Sequence, residues 1–160
     1  MTLEQTIANL SDRLAIREQI DRYVDLLNHR DWRGYEDLLT GDFVWTINAP
    51  KPRRIESRKA MMEMVTTVQE YQFGFVFQMG HGLVIDELKA DPARTRHTLH
   101  ILSDRFTFIG IYYDELVKER DGVWRFKRRD YQVTYHDDTP ATGKMYRKLP
   151  DPNYLRLPGA

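Results

Sequence analysis

Apolar residues recur at three- and four-residue spacing early in the chain, at Ile16, Ile20, Tyr23 or Val24, and Leu27. Arg13, Arg17, Glu18 and Arg22 fall between them, so one face is apolar and the other charged. That period predicts an amphipathic helix, capped at its start by Ser11 or Asp12. Asn28-His29-Arg30 ends it, with Asn28 suited to the left-handed position common at helix ends. Asp31 then caps a short second helix with Trp32, Tyr35, Leu38 and Leu39 inward, and Thr40-Gly41-Asp42 predicts a turn. Phe43 to Ile47 reads as a strand, and Pro50 and Pro52 mark a loop. Ser57 caps a third helix with Met61, Met64, Val65 and Val68 on one stripe.

From Gly74 the pattern changes to strands. Gly74 to Leu88 is the first of these, with Gly80 and Gly82 marking a bulge or bend. Arg94 to Phe108 and Ile111 to Glu119 follow. Arg120-Asp121-Gly122 predicts a tight hairpin turn into a last strand reaching Tyr135. Trp124, Phe126, Tyr131 and Val133 give that strand a buried face, yet Arg128, Arg129 and Asp130 interrupt it. Charge at such a place needs a wet cavity, a partner or a bulge. Helices first and antiparallel strands afterwards define an α+β domain, in which a sheet with helices on one side can curl into a cone around a pocket.

Composition narrows the function classes. At 160 residues the chain is expected to form one domain with a proper core. Its 24 basic and 24 acidic residues cancel, which removes the basic excess expected of a nucleic-acid partner. Without cysteine there is no disulfide, zinc thiolate or cysteine nucleophile. The start lacks a basic segment followed by an apolar run, and no stretch approaches the ~18 apolar residues of a membrane span, so the expected location is the cytoplasm. Residues 137–160 hold four of the seven prolines and read as an irregular extension over the domain or a neighbouring subunit.

The chain resembles the SnoaL-like branch of the nuclear transport factor 2-like superfamily over roughly residues 10–136. The likeness rests on Ala15-Ile16 through Tyr23 to Asn28, on Asp31-Trp32, Leu38-Leu39 and Asp42-Phe43-Val44-Trp45, on Gln78-Met79-Gly80-His81, and on Glu119 to Phe126. The groups most similar in appearance are the hexachlorocyclohexane dehydrochlorinases, bile acid dehydratases and scytalone dehydratases. The resemblance implies a cone-shaped, curved mixed sheet (a cystatin-like α+β barrel) whose pocket is closed by three N-terminal helices. It also implies no cofactor or metal, a small-molecule substrate and a homo-oligomer, dimer or trimer. In those lyases an aspartate on the first helix orients a histidine base; the two positions fall on Asn28 and Gln78. Neither amide accepts a proton at neutral pH. The dehydrochlorinases' anion-stabilising arginine falls on Arg129, and the bile acid dehydratases' first-helix tyrosine falls on Tyr23.

Each candidate has a plainer alternative. Arg129 carries a fork of donors suited to a departing anion, or pairs with Asp130, Asp104 or Glu115 on the sheet surface. Tyr23 can give a proton to a leaving oxygen, or is a core tyrosine with its hydroxyl at a cavity rim. His100 is the first candidate base, since an unperturbed imidazole titrates near ~6.5; otherwise it is a surface or core histidine. Asp104 is the second, if the register slips by two. Strand alternation puts Arg96, Thr98, His100 and Leu102 on one face and His97 and Leu99 on the other, so His97 and His100 make poor joint metal ligands. Asn28 and Gln78 are expected to position a substrate, with Trp45, Phe106 and Tyr113 among the aromatic wall that Phe73, Phe75, Phe77 and Tyr112 also supply. The methionines of the third helix are core, or an adaptable wall for a bulky ligand.

These readings give a cofactor-free lyase of dehydratase, dehydrohalogenase or retro-aldol type. It would act by acid/base chemistry on a small apolar, aromatic or polycyclic molecule. The alternatives are a non-catalytic ligand-binding or oligomerisation domain, an isomerase of the ketosteroid type, and a partner subunit of a larger oxygenase.

Overall fold

The computed structural model describes residues 2–71, 75–88, 91–139 and 142–143, with the backbone alone for 68–71. Phe73, Gly74, the side chain of Val68 and nearly all of the C-terminal extension lie outside the described residues. Three helices and six strands follow one another as α1 (Leu3–His29), α2 (Trp32–Asp37), β1 (Leu39–Ile47), β2 (Arg53–Glu56), α3 (Arg58–Tyr71), β3 (Val76–Glu87), β4 (Ala93–Ser103), β5 (Thr107–Lys118) and β6 (Trp124–Asp137). The strands form one mixed sheet in the order β2-β1-β6-β5-β4-β3. Among the described strand pairs only β1 and β6 run parallel. The sheet is a curved, unclosed α+β cone with β2 and β3 as its free edges. No helix among the described residues is long and apolar enough to cross a membrane.

The cap of α1 lies nine or ten residues before the expected Ser11 or Asp12. Thr2 closes it with a capping box, its side chain accepting from the Gln5 N–H while the Gln5 side chain accepts from the Thr2 N–H. The expected stripe is buried from Ile16 to Leu27, joined by Gln19 and Leu26. Before it, Leu3, Ile7, Leu10 and Leu14 are exposed. The left-handed residue at the helix end is Arg30 (φ 56°), not Asn28, whose side chain is engaged elsewhere. Asp31 caps α2 by accepting from the Gly34 N–H at 2.9 Å, and Ser57 caps α3 through the Ala60 N–H at 3.2 Å.

Three boundaries moved. Thr40-Gly41-Asp42 is not a turn but part of β1, absorbed where its register against β6 shifts between Leu39 and Val44. The loop after Pro50 gives way to the short edge strand β2. The long second strand ends at Ser103, because the Ser103 hydroxyl accepts from the N–H groups of Arg105 and Phe106 and turns the chain into β5.

The Asp-Gly hairpin forms as expected, with Gly122 at φ 81° and Asp121 accepting from the Val123 N–H. It sets β6 against β5 so that Trp124 and Phe126 face the helices. Pairing then shifts by one between Leu116 and Glu115, leaving Lys127 as the extra residue of a bulge. Beyond it Arg129, Tyr131 and Val133 turn inward, and Arg128 stays outside. Without that bulge Arg128 and Asp130 would occupy the inner face. Further along the pair, β5 and β6 close up at Gly110, where a Cβ would stand 2.3 Å from the Gln132 carbonyl.

Candidate functional site

A cavity of about 360 Å³ lies between the inner face of the sheet and the helices. α1 contributes Tyr23 and Leu27, α3 contributes Met61, Met64 and Val65, and β1 contributes Trp45 and Ile47. Val76, Gln78, Ile101, Phe106, Phe108, Tyr112 and Tyr131 complete the wall from the remaining strands and the turn between β4 and β5. The exposed residues Pro50, Lys51 and Arg53 mark its opening. This is the usual makeup of a small-molecule pocket, mostly apolar with a few polar groups.

Behind the wall sits a buried charge cluster. The Arg129 guanidinium, 0% exposed, donates from Nε to Asp114 Oδ1 at 2.6 Å and from its Nη2 to Asp114 Oδ2 at 2.7 Å. His97 Nδ1 stands 3.4 Å from the same Oδ2. The guanidinium carbon lies 3.7 Å from the ring centre of Tyr23, 4.1 Å from Tyr112 and 4.3 Å from Phe126. These faces add cation–π attraction to the ion pair. Burial pushes the Asp114 carboxyl up, but the charge and hydrogen bonds of Arg129, with help from His97, outweigh it and hold the group below the usual carboxylate range. Burial likewise opposes the charge on Arg129, and Asp114 more than restores it. The pair is therefore ionised, mutually neutralised and shielded from the cavity by tyrosine rings.

The expected site residues separate into those the cavity gathers and those it does not. Tyr23, Trp45, Gln78 and Phe106 line it. The Tyr35 hydroxyl donates to that of Tyr23 at 3.0 Å, which leaves the Tyr23 proton for another acceptor. Asn28 does not reach the cavity. Its amide donates to the Gln78 carbonyl and accepts from the Gln78 N–H, both at 2.8 Å, standing in for a neighbouring strand along the free edge of β3.

Arg129 is neither on the cavity wall nor paired on the sheet surface: it is buried behind the wall and paired with Asp114, a partner the sequence did not single out. His100 lies on the outer face, because the buried positions of β4 are Ala93, Thr95, His97, Leu99 and Ile101. Tyr113 is also outside, 45% exposed beside Arg128, since Tyr112 and Asp114 take the inner positions of β5. Asp104 sits in the turn after β4, its N–H donating to the Phe75 carbonyl, and does not line the cavity. Phe75 and Phe77 are likewise not part of the wall.

Sequence reasoning missed three inward groups: His97, Asp114 and Tyr131. Tyr131 matters most for chemistry. Burial raises its phenol above the ordinary value, so it stays protonated. Its hydroxyl, Trp45 Nε1 and Gln78 Oε1 are buried and have no hydrogen-bond partner among the described residues. All three belong to cavity-lining side chains.

An α+β cone with an apolar, tyrosine-bearing cavity under its helices is the architecture of a small-molecule pocket protein. Residues 8–130 match the model of the SnoaL-like domain, and the chain belongs to that family. A search of curated proteins gave no match. Among solved structures it is similar to a hexachlorocyclohexane dehydrochlorinase from Novosphingobium barchaimii, at 18% identity over 89% of this chain and 98% of that one, with a TM-score of 0.74. A candidate scytalone dehydratase from Novosphingobium aromaticivorans matches at 20% identity over 88% and 99%, with a TM-score of 0.72. A candidate aromatic ring hydroxylase from the same organism matches at 18% identity over 81% and 94%, with a TM-score of 0.70. At these identities the likeness is one of fold.

Proposed function

We propose that the cavity binds a small, largely apolar, aromatic or polycyclic molecule through one or two oxygen atoms, and that its polar groups act as neutral hydrogen-bond partners. The observation that carries this reading is the trio of unsatisfied atoms on Trp45, Gln78 and Tyr131 around one apolar space. Each such atom costs roughly 1–3 kcal/mol when left bare. A ligand oxygen removes that cost at Trp45 Nε1 or the Tyr131 hydroxyl, and a ligand hydroxyl or a bound water removes it at the acceptor Gln78 Oε1. Tyr23, Tyr131 and Trp45 offer donors, while Gln78 offers both functions. No described lining side chain is a carboxylate or an imidazole.

The Tyr35–Tyr23 hydrogen bond favours a second reading, in which the bound molecule is also turned over. Tyr23 would then donate to a leaving oxygen or a developing oxyanion, in a cofactor-free dehydration, dehydrohalogenation, retro-aldol or keto–enol step. The carbon-bound proton would pass to water or to a group on the substrate.

Titration with phenylcyclohexanone, a neutral aryl ketone, tests the first reading. Binding should quench Trp45 emission, and the quenching should vanish in Trp45→Phe while calorimetry still shows heat. Tyr131→Phe should weaken binding about fivefold to tenfold, the worth of one neutral hydrogen bond. Failure of the ketone and of related neutral aryl ketones to bind would overturn the reading. The second reading predicts in addition that a β-hydroxy aryl ketone loses water in a reaction that Tyr23→Phe abolishes; an unchanged rate in that variant would refute it.

A further inference from the structure

Resting on the binding reading above, we infer that the natural ligand carries an anionic group, a carboxylate or a phosphate, at the end opposite its buried oxygen. That group would sit between Lys51 and Arg53 at the cavity's opening. Both side chains line the cavity and both are exposed there. No acidic residue is among the described lining side chains. Neither cation has an ion-pair partner among the described residues, and carboxylates of β2, α2 and α3 are held by other cations. Glu56 takes Arg54 at 2.6 Å, Glu36 faces Arg58 at 3.7 Å and Glu63 faces Lys59 at 3.9 Å. The opening therefore presents two positive charges that no described residue answers, above a wall that is otherwise apolar and neutral.

Chain geometry keeps the two together. Arg53 opens β2 and is paired in register with Ile47, itself a lining residue of β1. Lys51 precedes it by two residues across Pro52, with Pro50 on the other side. An arginine fork matches two oxygens of a carboxylate or phosphate, and a lysine adds a mobile point charge. The Arg129 charge does not compete, because Asp114 neutralises it behind the tyrosine wall. A ligand with a neutral oxygen at one end, an apolar body and an acid at the other would meet each part of the cavity with its complement. A neutral analogue would leave the rim unanswered. An acid entering head first would meet no cation inside.

The test compares phenylcyclohexanone with the same ketone bearing a carboxylate, or a phosphate ester, on the far end of its phenyl ring. At low salt one or both charged forms should bind the wild type about tenfold tighter than the neutral ketone, and the tighter of the two identifies the anion. Raising salt to about 300 mM should erase most of that advantage. K51A/R53A should remove it, so that the neutral and charged forms bind the variant with the same affinity. Two results overturn the inference and leave the binding reading standing: charged forms no tighter than the neutral ketone, or an advantage that survives in K51A/R53A. If the neutral ketone and its charged forms all fail to bind, the binding reading fails and takes this inference with it.

Discussion

Asp114→Asn is expected to destabilise the protein by roughly 3–5 kcal/mol, the cost of leaving a buried guanidinium without its counter-charge. For a chain of this size that corresponds to a fall in melting temperature on the order of 10 °C. The asparagine keeps the shape and at most one useful acceptor, but the Arg129 charge remains inside with only the faces of Tyr23, Tyr112 and Phe126 to hold it. The acid limb of stability should change as well. The Asp114 carboxyl is held below its unfolded value, so its contribution is complete above about pH 4 and is lost as pH falls through the lower folded value. The variant lacks that component, and its stability should depend less steeply on pH in the acid range. Thermal unfolding across pH checks both points. The double variant Asp114→Leu with Arg129→Met should recover much of the loss, because a buried pair can be replaced by apolar residues at little cost. If Asp114→Asn alone is neutral, the cluster is not the internal support described here.

Asn28→Asp should be the second most damaging change, at roughly 2–4 kcal/mol. It restores the residue type that the lyase groups carry at this position, so its outcome separates two views of the site. The amide now donates to the Gln78 carbonyl and accepts from the Gln78 N–H. A carboxylate can still accept, but it has no proton for the carbonyl and would set a negative charge 2.8 Å from it. The edge of β3 should loosen, and with it the Gln78 side chain that lines the cavity. Hydrogen exchange along β3 and chemical denaturation would register the change. Equal or greater stability in Asn28→Asp would mean that the amide is not the clamp the geometry makes it.

The two sites show what a sequence pattern can and cannot carry. Period locates the buried half of α1, while the Ser57 cap and the Asp-Gly turn locate α3 and the last hairpin, because each depends on neighbours a few residues apart. The caps of α1 are Thr2 and Arg30, not the expected Ser11 or Asp12 and Asn28. The inward turn of Arg129 follows from strand alternation only after a bulge at Lys127, and nothing in the chain nearby marks that extra residue. The Asp-Gly turn fixes the register at Lys118 and Trp124; continued without a bulge it would set Asp114 against Arg128, and the extra residue sets it against Arg129 instead. Strand alternation alone puts His100 and His97 on opposite faces, as they are. Which face is inner depends on where α1 lies, a long-range fact. Tyr131 looked like ordinary strand bulk; its value as a hydroxyl comes from a wall that five other strands and two helices build around it. Asn28 resembled a helix end because an asparagine serves there by itself, whereas its partner is fifty residues away.

On the proposed reading, the cavity inside its opening meets a ligand with neutral donors and acceptors, the one internal charge pair being sealed off. The affinity of phenylcyclohexanone from about pH 5.5 to 8.5 tests it most directly, because an imidazole in the site would titrate within that window and buried phenols would not. Tyr35, Tyr112 and Tyr131 are all held above the ordinary phenol value, chiefly by burial, and keep their protons throughout. A dissociation constant that stays flat across the range, and weakens in Tyr131→Phe by the same factor at each end, is the predicted result. A transition of tenfold or more centred near pH 6.5 would place a histidine at the ligand and contradict the account.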